Sequence, residues 1–169
     1  HCGGEINALL KALSELKPAH LRGEIQTLSN GMTLWIDCYN ANPQSMMASL
    51  KAFDSSGFQG CLVLGEIKEL GRNSDQLHAA LGIEIAKMFS KKDTLIYTLG
   101  DGAYPLHDSL ITQGYLASYC KHFSLDEVKQ VTQFIIEACP KAVFLKGSRS
   151  TRLERIAEAL ADLSNHVTS

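Results

Sequence analysis

The apolar positions of this chain change period several times. In residues 5–17, EINALLKALSELK, Ile6, Leu9, Leu10, Leu13 and Leu16 recur at three- and four-residue steps, which predicts an amphipathic helix ended by Pro18. The period then shortens. EIQTLS (24–29) and MTLWID (32–37) flank Asn30-Gly31, a type I′ hairpin signal, so the first strand is expected to run antiparallel to the second. A helix from about Pro43 to Phe53 turns Met46, Met47, Leu50 and Phe53 inward. Strand CLVLG (61–65) leads to a helix over 73–89, and strand TLIYTLG (94–100) to a short helix near 105–113. YLASYC (115–120) reads as a further strand. SLDEVKQVTQFIIEAC follows as a helix opened by a Ser124/Glu127 capping box. Strand AVFLKG (142–147) precedes a last helix with Leu153, Ile156, Ala157 and Leu160 on one face.

Strands alternating with amphipathic helices specify βαβ units. The expected fold is α/β: a Rossmann-like open, mostly parallel sheet of about six strands, with one antiparallel edge strand and helices on both faces. Pro18 marks a boundary. Residues 1–19 are expected to end a preceding domain and residues 20–169 to form the α/β domain.

Composition narrows the function class. Apolar residues make up 45% and charged residues 20% of the 169, enough for a sizeable core. A formal charge of −2 provides no basic field for nucleic acid or an anionic membrane, and no apolar run approaches the roughly 18 residues that span a bilayer. The chain begins with His1 and carries no signal-peptide pattern, so it is expected to start inside a longer polypeptide. Five scattered cysteines without a C-x-x-C pair suit a reducing cytoplasm, and six dispersed histidines give no zinc pattern.

In open parallel sheets, ligands bind beyond the carboxyl ends of the strands. That rule selects the loops 37–43, 65–73, 100–105 and 146–151. In the first, Asn42 and Pro43 read as N-cap and N1 of a helix, which leaves Asp37, Tyr39 and Asn40 without a structural role. Asp37 is placed to accept from sugar hydroxyls, and Tyr39 offers a flat surface for a base. In the second, Glu66 and Glu69 lie between glycines as solvated loop charges or as site residues, and Asn73 with Gln76 suggests a cap. GDGAYP in the third is turn chemistry. In the fourth, Lys146-Gly147-Ser148-Arg149 precedes a helix N-terminus, a natural carboxylate or phosphate site, although Glu154 also suits a capping box with Thr151. His78 reads as a packed or surface histidine. No G-x-x-x-x-G-K-[ST] occurs, so the chain has no P-loop of its own.

Taken together, DCYNANPQSM, LGEIKELG followed by LHAALG, and LKGSRSTRLE resemble the C-terminal domain of the Mur ligase family, in order and at compatible spacing over nearly the whole chain. Within the family the likeness is to members that add D-alanyl-D-alanine to UDP-N-acetylmuramoyl-tripeptide in peptidoglycan synthesis. The resemblance implies a cytoplasmic, monomeric bacterial ligase using ATP and Mg2+, both held mainly by a central domain that residues 1–19 would terminate. It places Arg22 and Asp37 at the ribose, and Tyr39, Asn40 and Asn42 near the adenine or phosphates. Glu66, Lys146, Gly147, Ser148, Arg149 and Glu154 would surround the dipeptide, with Arg149 facing its carboxylate. It implies an acyl-phosphate intermediate, no catalytic residue or metal site in this stretch, and no activity for the chain alone. A sister amino-acid-adding Mur ligase, a folylpolyglutamate synthase and a non-catalytic nucleotide-binding module are the competing readings.

Overall fold

The computed structural model describes residues 20–89 and 93–167. The helix expected over 5–17, and with it the segment 1–19, lies outside the described residues. Six strands form one sheet: β1 (Glu24–Thr27), β2 (Thr33–Asp37), β3 (Gly60–Gly65), β4 (Leu95–Leu99), β5 (Cys120–Phe123) and β6 (Ala142–Lys146). Their order across the sheet is β1-β2-β6-β3-β4-β5. Among the described residues only the β1–β2 pair is antiparallel. The expected architecture is therefore present.

Alternation along the strands divides the core in two. Leu34, Ile36, Cys61, Val63, Leu99, Val143 and Leu145 face one side, packed by Val131 and Ile135 of α4 (Val128–Ala138) and by Ile156 and Leu160 of α5 (Glu154–Val167). Leu62, Leu64, Ile96 and Phe144 face the other. There they meet Met46, Leu50 and Phe53 of α1 (Pro43–Ser55), Leu81, Ile85 and Phe89 of α2 (Ser74–Phe89), and Leu106 and Leu110 of α3 (Tyr104–Thr112). Among the described residues no helix is long and apolar enough to cross a membrane.

This division locates the site. β2 and β3 are followed by α1 and α2 on one face, whereas β6, seated between them, is followed by α5 on the other. The chain thus leaves in opposite directions on both flanks of β6, and each divergence opens a crevice at the carboxyl ends of the strands.

Local details differ from the sequence expectation in four places. The β1–β2 turn is not type I′, because Gly31 takes φ 86° while Asn30 stays out of the left-handed region. Gly31 N–H donates to Leu28 O and Leu28 N–H to Met32 O, and the Asn30 side chain accepts from Met32 N–H, giving a three-residue loop. The segment 115–119 is turn, and the strand starts at Cys120. Tyr115 and Tyr119 are absorbed there by bonds to loop and strand ends: the Tyr115 hydroxyl donates to Thr94 O, and Tyr119 O accepts from Ile96 N–H. Glu127 accepts from the Ser124 amide and hydroxyl, but this closes a turn rather than capping α4, which begins at Val128. Asn73 lies within a 3-10 turn, Gly71–Asn73, that runs straight into α2 and so holds no cap position.

At the β4–β5 edge the Thr98 hydroxyl meets His122 Nδ1 at 2.9 Å, Cys120 Sγ meets His107 Nδ1 at 3.2 Å, and the Tyr104 ring lies edge-on to His122. Partial burial holds both histidines below their ordinary value of 6.5, with His122 further disfavouring charge on His107 and Asp108, Asp101 and Glu127 opposing more weakly. The unfolded chain therefore binds more protons just below pH 6.5, and stability drains as the pH falls through that window. Urea midpoints at pH 7.5 and 5.5 are expected to differ less for a His107→Gln/His122→Gln double variant than for the parent.

Candidate functional site

The crevice between β2 and β6 is built around an ion pair. Asp37 and Lys146 are register partners at the ends of the two strands, and Lys146 Nζ lies 2.7 Å from Asp37 Oδ2. The ammonium also donates to Asp37 O at 3.4 Å and Asn40 O at 3.3 Å, so all three of its protons are engaged. Ser49, one helical turn and a half inside α1, donates to the same carboxylate oxygen at 2.6 Å. The charge that closes strand β2 is thus held by one cation and one hydroxyl, with the strand-to-helix loop pinned over it.

That loop is rigid for reasons the sequence half shows. Asn42 caps α1, accepting from Ser45 N–H at 2.8 Å while Ser45 Oγ accepts from Asn42 N–H at 3.0 Å, with Pro43 at the first helical position. Asn40 Oδ1 accepts from Ala41 N–H, and Tyr39 N–H donates to Leu21 O. The Arg22 guanidinium then sits 4.0 Å from the centre of the Tyr39 ring, which remains 46% exposed. Leu21, at φ 61°, is the left-handed residue that turns Arg22 toward it. Arg22, Gly23, Asp37, Tyr39, Asn40, Asn42 and Lys146 line a cleft of about 400 Å³ with a cation, a carboxylate and an exposed ring on its walls.

The crevice on the other flank of β6 is narrower and filled by backbone. Ser148 N–H donates to Glu66 O at 3.1 Å, and Lys68 N–H donates to Ser148 Oγ at 2.8 Å. Gly65 and Gly147 allow this approach: a Cβ on Gly147 would lie 2.8 Å from Gly65 Cα and 2.9 Å from Thr151 Oγ1. The Glu66 side chain is buried, accepting from Gly102 N–H at 3.1 Å and pairing with Lys68 at 2.6 Å. It is therefore not a solvated loop charge, and it points toward the Gly100–Gly102 turn, away from the Asp37 cleft.

Arg149 and Glu154 form an ion pair in front of α5. The expected Thr151–Glu154 capping box does not form, because Thr151 Oγ1 donates to Ser148 O at 2.6 Å and the Glu154 carboxylate turns to Arg149. The other Glu154 oxygen lies 3.9 Å from Cys38 Sγ. Burial first, then the Glu154 charge, push the Cys38 thiol up to about 12, so it is a protonated donor. Hydrogen bonding to Glu154 holds the exposed Arg149 guanidinium above its ordinary value, and the Tyr39 side acts in the same direction. The Arg149–Glu154 pair thus stands beside Cys38 of the β2–α1 loop, one residue past the Ser148 contacts to the β3 loop.

A family model for the Mur ligase glutamate ligase domain matches residues 21–149, from the Leu21 turn to Arg149. The chain belongs to that family. It is 32% identical over 163 residues to the UDP-N-acetylmuramoyl-tripeptide–D-alanyl-D-alanine ligase of Bacillus subtilis, covering 90% of this chain and 33% of the relative. The Escherichia coli ligase of the same name is 27% identical, covering 95% and 34%. A crystal structure of MurF from Acinetobacter baumannii superposes with a TM-score of 0.76 at 26% identity, over 95% of this chain and 34% of that one. The fold is shared with Thermotoga maritima MurF ligase solved in complex with ADP, at a TM-score of 0.71 and 20% identity over 94% of this chain and 36% of that one. The chain spans about a third of the length of the relatives it matches.

Within this Mur ligase domain, Arg22, Asp37, Tyr39, Asn40, Asn42 and Lys146 share one cleft. Gly147 and Ser148 join the β3 and β6 loops, Arg149 and Glu154 pair beyond them, and Glu66 meets Ser148 through its carbonyl while its side chain turns to Gly102. Sequence reasoning missed Ser49 and assigned Thr151 to a capping box that does not form, while His78 is packed, one of its two expected settings. Ser49 lies twelve residues beyond Asp37 with no motif to tie them, whereas glycine at the ends of two strands was a signal that something packs across both.

Proposed function

We propose that this chain is the acceptor-side domain of an ATP-dependent ligase that joins D-alanyl-D-alanine to UDP-N-acetylmuramoyl-tripeptide in the cytoplasmic stage of peptidoglycan precursor synthesis. The observation that carries this reading is the Asp37–Lys146 pair at the β2/β6 switch point, which sets a nucleoside-sized cleft beside a cation suited to a substrate carboxylate. The names of the relatives support it.

In the proposed complex Arg22 and Asp37 hold the ribose, and Tyr39, Asn40 and Asn42 border the adenine or phosphates. Arg149 receives the dipeptide carboxylate, with Gly147, Ser148 and Glu154 around it and Glu66 shaping the loop from beneath. Lys146, its protons engaged, fixes the nucleotide loop rather than reaching a ligand. ATP first phosphorylates the precursor carboxylate. The dipeptide amine then displaces phosphate, leaving an amide, ADP and phosphate. This domain contributes positioning, which for well-oriented partners is worth effective molarities on the order of 10⁵ M. The Mg2+ implied with ATP is proposed to be held mainly by the preceding ATPase domain.

Residues 1–19 are proposed to end the preceding ATPase domain. Because the chain carries no P-loop, the 169 residues alone are expected to show no dipeptide-dependent ATP turnover, and measurable turnover would contradict the proposal. In the ligase that carries this domain, Arg149→Ala is expected to raise the D-Ala-D-Ala KM on the order of tenfold while leaving the ATP KM within about twofold. Asp37→Ala is expected to do the reverse. The opposite pattern would show that the two loops serve exchanged substrates.

A further inference from the structure

The loop after β3 is held from within by the histidine of the LHAALG stretch, which the proposed function leaves without a role. His78 on α2 is fully buried. Ile67 N–H donates to its Nε2 at 2.9 Å, so Nε2 is the bare nitrogen. Nδ1 therefore carries the proton and donates to Ser74 O at 2.9 Å, one turn earlier in the helix. Both ring nitrogens are committed, and the tautomer is fixed by backbone on each side.

The residues flanking Ile67 are engaged in the opposite direction. Glu66 O accepts from Ser148 N–H, and Lys68 N–H donates to Ser148 Oγ, across 80 residues of chain. The three consecutive residues 66–68 thus alternate between Ser148, His78 and Ser148. A leucine would fill the space of His78 but would leave the buried Ile67 amide without an acceptor, and the peptide would rotate to find one. The Ile67 N–H and the Glu66 carbonyl belong to one rigid peptide unit, so its rotation carries that carbonyl away from the Ser148 amide and strains the adjoining unit that bears the Lys68 N–H. Ser148 would lose its hold on the β3 loop, one residue before Arg149, and keep the turn that Thr151 closes onto its carbonyl.

We propose that His78 is a positioning residue for the substrate-carboxylate loop: it fixes the Ile67 peptide so that Glu66 and Lys68 clamp Ser148 and thereby aim Arg149. It touches no substrate and transfers no proton. The inference rests on the reading of Arg149 as the carboxylate anchor, but its structural half is measurable without substrate.

The test uses two substitutions. His78→Gln places a side-chain oxygen at the reach of Nε2, whereas His78→Asn reaches Ser74 but not Ile67. In the 169-residue chain, amide hydrogen exchange at Ile67, Lys68 and Ser148 is expected to rise on the order of tenfold in His78→Asn, with Leu62 and Val143 in the core strands unchanged, and to return toward the parent in His78→Gln. In the ligase that carries the domain, His78→Asn is expected to raise the D-Ala-D-Ala KM about tenfold with the ATP KM within about twofold, and His78→Gln to restore most of it. Exchange that rises at Ile67 while Ser148 stays protected would overturn the proposal. So would a folded His78→Gln chain whose Ser148 amide is open, which keeps the test decisive even where His78→Asn unfolds. A clamp confirmed by exchange in a ligase indifferent to D-Ala-D-Ala would refute the substrate assignment and leave the positioning role standing.

Discussion

Lys146→Met is expected to destabilise the domain by about 3 kcal/mol in urea unfolding, because it strands a largely buried carboxylate. Lys146 is 2% and Asp37 18% exposed at the side chain, so water does little to replace the lost partner. Only the Ser49 hydroxyl would remain on Asp37 Oδ2, and the carbonyls of Asp37 and Asn40 would lose the donor that holds the β2–α1 loop down. Removing the charge as well should recover part of the loss. Asp37→Asn combined with Lys146→Met is therefore expected to be less destabilised than the sum of the two single variants. In the ligase, the Lys146→Met defect should appear in the ATP KM more than in the dipeptide KM. A variant with the parent's urea midpoint would mean that the pair behaves like an exposed one and does not organise the cleft.

Gly147→Ala is the second large effect, and its cause is space rather than backbone conformation. The added methyl would lie 2.8 Å from Gly65 Cα and 3.2 Å from Gly65 N, which are backbone atoms of the neighbouring strand and cannot rotate away. It would also press on Thr151 Oγ1 at 2.9 Å, the hydroxyl that closes the turn onto Ser148 O. The ends of β3 and β6 must then separate, at a cost of about 2 kcal/mol. Trimming Thr151 to alanine is expected to rescue little, since the Gly65 contact persists. The check is the urea midpoint together with the dipeptide KM, which should rise as Arg149 is displaced. An unchanged midpoint would show that the strand ends are looser than these distances require.

The fold was legible because its elements carry clean periods: β3 and β6 are apolar runs buried on both faces, and the helices on each side show their stripes. The misplaced fifth strand has a physical reason. Tyr115, Leu116 and Tyr119 have strand-like character, yet the Tyr115 hydroxyl is drawn to Thr94 O and the turn ends only at Cys120. Of the site, Asn42 and Pro43 were readable as helix entry, since capping is local chemistry. What joins distant loops was not. The Asp37–Lys146 pair spans 109 residues, the Ser148–Lys68 bond 80, and neither has a spacing rule. Glu66 shows the limit most clearly. Composition favours a solvated loop charge, while the fold buries it against Gly102.

The most direct test of the central claim is ADP release by the ligase that carries this domain, assayed with ATP, UDP-N-acetylmuramoyl-tripeptide and either D-Ala-D-Ala or single amino acids. Turnover that requires the dipeptide, and that Arg149→Ala weakens through the dipeptide KM, is the expected result. Turnover driven by a single amino acid, with none from D-Ala-D-Ala, would contradict it and assign the domain to a sister ligase.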